Sequence, residues 1–210
     1  MPTVPPATRS MVAAILVIAA TIGVTACRTA ADNRLDGIVR TPRPVVADVR
    51  LPDVRHDDNG VPFRFVAAHH SLLGVYFGFT TCPDLCPETM GDLRAVLHAM
   101  GNDAKRVSIA FVTVDPQHDT PAALRSFLDH FVPDAHAIRT ADATTLQAAE
   151  AAFRVAARRT GPNYVEHSAA VLVVDDRGTI VDELPYGLSH DQMRHDLSVL
   201  LARYDKESQQ

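Results

Sequence analysis

Cysteine is scarce in this chain: its 210 residues contain only three, Cys27, Cys82 and Cys86. So few cysteines cannot form the set of disulfides that stabilises many small secreted domains. Clusters of Lys and Arg are also lacking, because the basic residues are scattered and the formal net charge is −5. Proteins that bind nucleic acid group their basic residues against the phosphates, so we expect no nucleic-acid partner.

The remaining composition is that of one folded domain with a short extension, without internal repeats or low-complexity tracts. Hydrophobic residues make up 47% of the chain, enough for a core, and the 21% of charged residues indicate a soluble surface. A domain of this size should fold without a disulfide. We therefore interpret Cys82 and Cys86 as a functional pair.

The N-terminus has the pattern of a targeting segment. Arg9 precedes an apolar run over residues 11–26 that contains no charge and is short for a membrane span, which needs roughly 20 residues. The run ends in residues 24–27 (VTAC), which resemble the lipobox of bacterial lipoproteins. That resemblance implies cleavage before Cys27 and a diacylglycerol on its sulfur. The alternative is an uncleaved anchor helix, and both place the rest of the chain outside the cytoplasm, attached to a membrane.

These features predict three segments. Residues 1–26 are a signal peptide ending in the lipobox, and residues 27–44 are a lipidated tether, polar and without sustained periodicity. Residues 45–205 are the folded domain.

Hydrophobic patterns in the folded domain predict alternating strands and helices. An Asp-Asn-Gly turn at residues 58–60 predicts an N-terminal β-hairpin. The order is typical of an α/β, thioredoxin-like fold, in which the helix after the first buried strand carries redox or metal chemistry. The predicted strands cover residues 45–49, 61–66, 72–79, 107–114, 168–174 and 179–184, and the predicted helices cover residues 87–100, 121–131, 144–154 and 189–204.

Cys82 and Cys86 lie between a buried strand and a helix, where two thiols can hold a soft metal ion or form a disulfide. Pro83 disfavours helix at Cys82, and Pro87 suits the first helical position, so Cys86 is expected at or next to the N-cap. Backbone N–H groups and the helix dipole there are expected to lower the thiol pKa and favour thiolate. The spacing is neither C-x-x-C nor that of a structural zinc site.

Two thiolates need at least one further ligand, and the chain offers ten histidines. His167 stands out because it leads into the strand predicted at residues 168–174, and in a thioredoxin-like sheet the preceding loop passes beside the start of the cysteine helix. Two Cys and one His suit copper, whereas zinc completed by water is the alternative. The neighbouring His69 and His70 are expected in an exposed loop between the hairpin and the buried strand. They are not expected to share a metal, since adjacent residues on a strand point to opposite faces.

Two acidic residues near the cysteine helix are predicted to be structural. Asp115 is expected in a turn, and either Asp119 or Thr120 is expected to cap the helix that starts near Pro121.

Three blocks of sequence resemble the signatures of the Sco/SenC family, in the family's order: residues 78–87 (GFTTCPDLCP), 114–121 (VDPQHDTP) and 164–168 (YVEHS). The resemblance covers roughly residues 45–203. It implies a thioredoxin-like, membrane-tethered copper-binding protein that assists assembly of the binuclear copper site of cytochrome c oxidase.

Carried over by position, Cys82, Cys86 and His167 match the family's copper ligands. Two residues depart from its pattern. His118 stands where the family usually has Arg or Lys, which puts a fixed positive charge in that loop in doubt, and Glu166 stands where Asp commonly precedes the histidine.

The leading hypothesis is therefore a monomeric, extracytoplasmic copper metallochaperone rather than an enzyme. It binds one Cu(I) or Cu(II) through Cys82, Cys86 and His167, and its expected partners are the copper-bearing subunit of cytochrome c oxidase, other copper carriers and thiol reductants. The alternative is a thiol–disulfide oxidoreductase that uses Cys82 and Cys86 to reduce acceptor cysteines before metallation and does not need His167. A peroxidase would require an Arg beside its cysteine, and the cysteine block contains none.

Overall fold

Residues 33–161 and 164–207 are described by the structure, which is a computed structural model. Within these ranges the chain forms nine strands, four α-helices and one 3-10 helix over Gly101–Arg106. The strands are β1 (Arg50–Asp53), β2 (Val61–Arg64), β3 (Leu72–Gly78), β4 (Val107–Thr113), β5 (His136–Ile138), β6 (Ala157–Gly161), β7 (Tyr164–His167), β8 (Ala170–Val174) and β9 (Ile180–Pro185). The helices are α1 (Leu85–Met100), α2 (Pro121–Phe131), α3 (Ala143–Phe153) and α4 (His190–Glu207).

Seven strands form the main sheet in the order β2-β1-β5-β4-β3-β8-β9. Strand β3 runs parallel to β4 and antiparallel to β8. All seven residues of β3 are buried, because both faces of this central strand are covered. The hairpin β1–β2 pairs antiparallel at one edge, which confirms the predicted α/β architecture with an N-terminal β-hairpin.

Helix α2 begins as its sequence predicts. The hydroxyl of Thr120 accepts a hydrogen bond from the Ala123 amide, and Pro121 occupies the first helical position, where an N–H would have no partner within the helix. Thr120 is therefore the cap, and Asp119 is not.

Several elements differ from the sequence-based prediction. The strand expected at residues 45–49 is reduced to a single bridge between Val45 and Thr179, and the first strand begins at Arg50. Between the helix predicted to end at residue 154 and the strand predicted from residue 168, the structure has two further strands, β6 and β7, which form a separate antiparallel sheet. Helix α1 begins at Leu85, two residues before the predicted start. A proline fits the first turn at any position whose N–H lacks a partner, so Pro87 did not fix the first residue.

Part of the predicted tether is hydrogen-bonded to the folded domain. The carboxylate of Asp196 in α4 accepts the amides of Asp36 at 2.9 Å and Gly37 at 2.7 Å. A Cβ on Gly37 would lie 2.5 Å from Oδ1 of Asp182 and 2.7 Å from the carbonyl oxygen of Glu183, so only glycine permits this approach to β9.

The predicted signal peptide over residues 1–26 and the lipidation site Cys27 lie outside the described residues. The boundaries proposed at residues 26 and 44 stay predictions. No helix among the described residues has both the length and the apolar character needed to cross a bilayer.

Candidate metal site

The two cysteines meet at the carboxyl end of the central strand β3. Cys82 lies in the connection from β3 to α1, and Cys86 is the second residue of α1. The amide of Cys86 donates a hydrogen bond to the sulfur of Cys82, with a distance of 3.4 Å. Both side chains are thiols rather than a disulfide. The structure therefore brings the predicted pair together in a tight turn at the start of the helix.

The two sulfurs differ in their access to solvent. Cys82 is 9% exposed, whereas Cys86 is fully buried. The hydroxyl of Tyr76 donates to the sulfur of Cys86 at 3.8 Å, and Gly78 and Phe111 lie against the same pocket. Burial raises the pKa of Tyr76, so its hydroxyl stays a neutral donor.

Burial also raises the pKa of the Cys86 thiol to about 12. The prediction that the helix start lowers this pKa is therefore wrong. The cause is that Cys86 lies inside the apolar layer between α1 and the sheet, where desolvation of the thiolate outweighs the helix dipole. Cys86 is a neutral thiol at neutral pH, and an arriving cation must displace its proton.

A buried carboxylate, that of Asp119, holds the cysteine loop, the connection from β3 to α1 that contains Cys82. Asp119 accepts hydrogen bonds from the amide of Thr80 at 3.1 Å, from its hydroxyl at 2.6 Å and from the hydroxyl of Thr113 at 2.5 Å. Burial raises the pKa of Asp119. Asp119 was expected to be a possible helix cap; instead it ties the loop before Cys82 to strand β4. The sequence contains a signal for this contact. Thr80 and Asp119 follow two adjacent parallel strands, β3 and β4, whose carboxyl ends lie at the same edge of the sheet.

The loop after β4 is held by an arginine that the sequence analysis did not single out. Arg139 donates to the carbonyl oxygens of Asp119 and Pro116, each at 2.8 Å. Asp115 forms the predicted turn: its carbonyl oxygen accepts hydrogen bonds from the amides of His118 and Asp119. Its carboxylate lies 2.8 Å from Nδ1 of His118. The loop is therefore in contact with a fixed cation. This cation is Arg139, which directly follows β5, and not residue 118, where the Sco/SenC pattern has Arg or Lys and this chain has His118.

His167 is the last residue of β7, where its backbone pairs with Ala157. The side chain of His167 lies outside the described part of the structure, so its role as a ligand stays a prediction. Ala170, three residues after His167, begins strand β8. Because β8 is antiparallel to β3, the start of β8 lies at the carboxyl end of β3, and Ala169 lines one cavity together with Thr89 in the first turns of α1.

The mouth of the site is acidic. Tyr186 donates a hydrogen bond to the carboxylate of Glu88 at 2.7 Å. This bond and the charges of Glu88, Asp92 and Asp84 raise the pKa of Tyr186. Carboxylates along the first turns of α1 favour the approach of a cation to the thiols.

A thiol pair at the start of the helix that follows a central strand defines a thioredoxin-like protein with a metal or redox site. Residues 55–202 match the sequence profile of the SCO1/SenC family, and the chain belongs to that family. This confirms the resemblance seen in the three sequence blocks.

The chain is similar to an SCO2-like protein of Rickettsia conorii, with 30% identity over 128 residues, 58% of this chain and 62% of that protein. A mitochondrial SCO2 homolog of Danio rerio is 33% identical over 126 residues, 57% of this chain and 44% of the relative. The chain thus spans less than two thirds of the length of these relatives. The structure of Bradyrhizobium japonicum ScoI with copper bound matches with a TM-score of 0.60 and 28% identity, over 77% of this chain and 97% of that one. This likeness confirms the thioredoxin-like fold.

Two glycine substitutions test the packing around Cys86. A Cβ at residue 78 would lie 2.8 Å from Cε1 of Tyr76 and 3.0 Å from both the Cys86 sulfur and Cζ of Phe111. Gly78→Ala is therefore expected to lower the free energy of unfolding by about 1–3 kcal/mol, measured by urea denaturation. Gly91→Ala is the matched control: nothing lies within 4 Å of its Cβ position in α1, so it should stabilise the protein by up to about 1 kcal/mol. Equal stability of the two variants would contradict this packing.

Proposed function

We propose that this protein is a copper metallochaperone that assists assembly of the binuclear copper site of cytochrome c oxidase. In this proposal it carries one Cu(I) or Cu(II) ion, as cargo, on Cys82, Cys86 and His167. The observation that carries the proposal is the thiol pair, which a 3.4 Å hydrogen bond from the Cys86 amide to the Cys82 sulfur holds together on the scaffold of the SCO1/SenC family. The copper-bound state of Bradyrhizobium japonicum ScoI supports copper as the cargo.

The chemistry of the donors fits this cargo. Thiolates are soft ligands that favour Cu(I), and an imidazole accepts both oxidation states of copper. Because burial raises the pKa of the Cys86 thiol to about 12, copper loading releases a proton from Cys86, and copper affinity should increase with pH. Delivery would proceed by ligand exchange, in which a thiolate of the acceptor replaces a thiolate of this protein on the ion.

The proposal includes attachment to the outer face of the cell membrane. Cleavage before Cys27 would leave a lipid-modified N-terminus, and residues 27–44 would connect it to the folded domain. Its support is the apolar segment over residues 11–26 and the VTAC sequence that ends it.

A copper titration of the reduced protein tests the ligand set. One equivalent of Cu(II) should produce a thiolate-to-copper charge-transfer band that is absent in Cys82→Ser. His167→Ala should weaken copper binding by at least about a hundredfold, because even contacts that merely orient a ligand are worth 10–100-fold in affinity. His98→Ala, an exposed position in α1, is the control and should leave the titration unchanged.

The result that would overturn the ligand assignment is a His167→Ala variant that holds copper as tightly as the parent. Retention of an unchanged charge-transfer band in Cys82→Ser would show that Cys82 is not a ligand. Preference for zinc over copper in a competition between the two metals would leave the ligands in place and change the cargo.

A thiol–disulfide oxidoreductase is the second candidate, favoured by one observation: the hydrogen bond from the Cys86 amide holds the Cys82 sulfur at the start of α1, on the same turn as Cys86. In this reaction the two thiols reduce an acceptor disulfide, become a disulfide themselves and transfer two electrons and two protons to the acceptor. Activity with a small disulfide should then survive in His167→Ala, whereas copper binding should not.

A further inference from the structure

A second group of potential ligands lies at the opposite end of strand β3. His69 and His70 precede β3, and Asp176 lies in the turn between β8 and β9. One ligand atom from each residue lies within 4.8 Å of the others. The distance between Nδ1 of His69 and Oδ2 of Asp176 is 3.4 Å. The three side chains therefore converge on one point without contribution from the cysteines.

An unusual backbone conformation makes this convergence possible. His70 has φ of +56°, in the left-handed region, so residues 69 and 70 do not alternate as they would on a strand. Their rings stack with centroids 3.7 Å apart. His69 and His70 lie in a loop, as predicted, but their side chains do not point to opposite faces, because the backbone at His70 is not extended.

Neighbouring elements hold the group in place. The amide of His70 donates to Oδ2 of Asp176 at 3.0 Å, and Arg106 donates to the carbonyl oxygen of His70 at 3.0 Å. The ring of Tyr204 in α4 lies 5.4 Å from that of His70, and its hydroxyl accepts the amide of Asp176 at 3.4 Å. Three separate parts of the chain thus position the ligands before any ion arrives, which reduces the entropic cost of binding.

We propose that His69, His70 and Asp176 form a second metal site, which binds a divalent transition-metal ion and takes Cu(II) when copper is supplied. Two imidazoles and a carboxylate, completed by water, suit Cu(II) or Zn(II) and lack the soft sulfur that Cu(I) prefers. The site is open, because the His69 side chain is 83% exposed. Arg106, which donates to the carbonyl oxygen of His70, is paired with Asp205 at 3.1 Å, which offsets its charge.

The second site is separate from the cysteines. Strand β3 separates the two sites. Its seven residues span roughly 20 Å at about 3.3 Å per residue. The second site is independent of the proposed function, because it shares no ligand with the cysteine site.

A Cu(II) titration of the full chain tests the proposal. The parent should bind two equivalents, one with the thiolate charge-transfer band and one without it, the latter showing splitting from two nitrogens in the electron paramagnetic resonance spectrum. His69→Gln/His70→Gln should lose the second equivalent, with affinity reduced at least about tenfold, and keep the thiolate band as evidence of folding. His56→Gln, at an exposed position outside the group, should still bind two.

Three outcomes would overturn the second site. One is a parent that binds a single equivalent. Another is retention of the second equivalent in His69→Gln/His70→Gln, which would direct attention to Asp36, His195 and Asp196, the other ligand group among the described residues. The last is complete loss of Cu(II) binding in a folded Cys82→Ser/Cys86→Ser chain, since the proposed site contains no sulfur and should retain one equivalent there.

Discussion

Asp119→Ala is expected to lower the free energy of unfolding by about 3–5 kcal/mol and to weaken copper binding at the cysteine loop. The carboxylate accepts two hydrogen bonds from Thr80 and one from Thr113, and alanine would leave these donors buried without an acceptor. Thr80 lies two residues before Cys82, so its release should also loosen the thiol pair. Urea denaturation measures the first effect, and a copper titration of the folded variant measures the second.

Asp84→Ala is the matched control, because Asp84 lies in the same loop but is exposed and makes no side-chain hydrogen bond to the helix it precedes. Its stability should stay within about 0.5 kcal/mol of the parent. If Asp119→Ala is as stable as Asp84→Ala, the carboxylate does not hold the loop. If it is destabilised but binds copper with the parent's affinity, the loop does not depend on this anchor once folded.

Asp182→Asn should stabilise the protein at pH 8 by about 1–3 kcal/mol and leave it nearly unchanged at pH 4. Asp182 is 1% exposed, and its Oδ2 has no hydrogen-bond partner among the described residues. Burial and the neighbouring Asp196 carboxylate raise the pKa of Asp182 well above the usual range of a carboxyl group. Asparagine fills the same space without a charge to desolvate.

The direction of the pH dependence follows from the proton count. Between pH 4 and 7 the folded protein keeps the proton on Asp182, whereas the unfolded chain releases it. Unfolding then loses a proton, and the free energy of unfolding falls as the pH rises through this range. Urea denaturation at several pH values should show this fall in the parent and a flatter curve in Asp182→Asn.

Asp48→Asn, at an exposed position, should follow the parent's pH curve. If the parent curve still rises between pH 4 and 7 after subtraction of the Asp182→Asn curve, Asp182 is ionised in the folded protein. Asp182 is also in contact with the N-terminal segment, because Gly37 packs against Oδ1 of Asp182.

The placement of the thiols was predictable because local signals determine it. An apolar run long enough for a buried strand precedes Cys82, and prolines on both sides restrict the backbone to a loop followed by a helix. These signals located the pair at the end of β3. They did not determine the pKa of Cys86, which depends on contacts with Tyr76 and Phe111 from two strands and therefore on tertiary packing.

Two other features were not visible in the sequence for related reasons. Strand β6 (Ala157–Gly161) is mostly polar and does not alternate, so nothing in its pattern distinguished it from a loop. The left-handed conformation of His70 is rare for a residue with a side chain, and the surrounding hydrogen bonds that hold it come from distant parts of the chain. The sequence therefore points to His167 and to His69, but it predicts neither the strand pair that carries the first nor the ligand group that contains the second.

The unequal burial of the two sulfurs gives the site a direction. A reagent or partner that approaches from solvent meets Cys82, a residue that is 9% exposed, before Cys86, which is fully buried and accepts a hydrogen bond from Tyr76. Any exchange of ligands or disulfide partners must then start at the outer sulfur and finish at the inner one. The fold thus imposes an order of events on a pair of residues that are chemically identical.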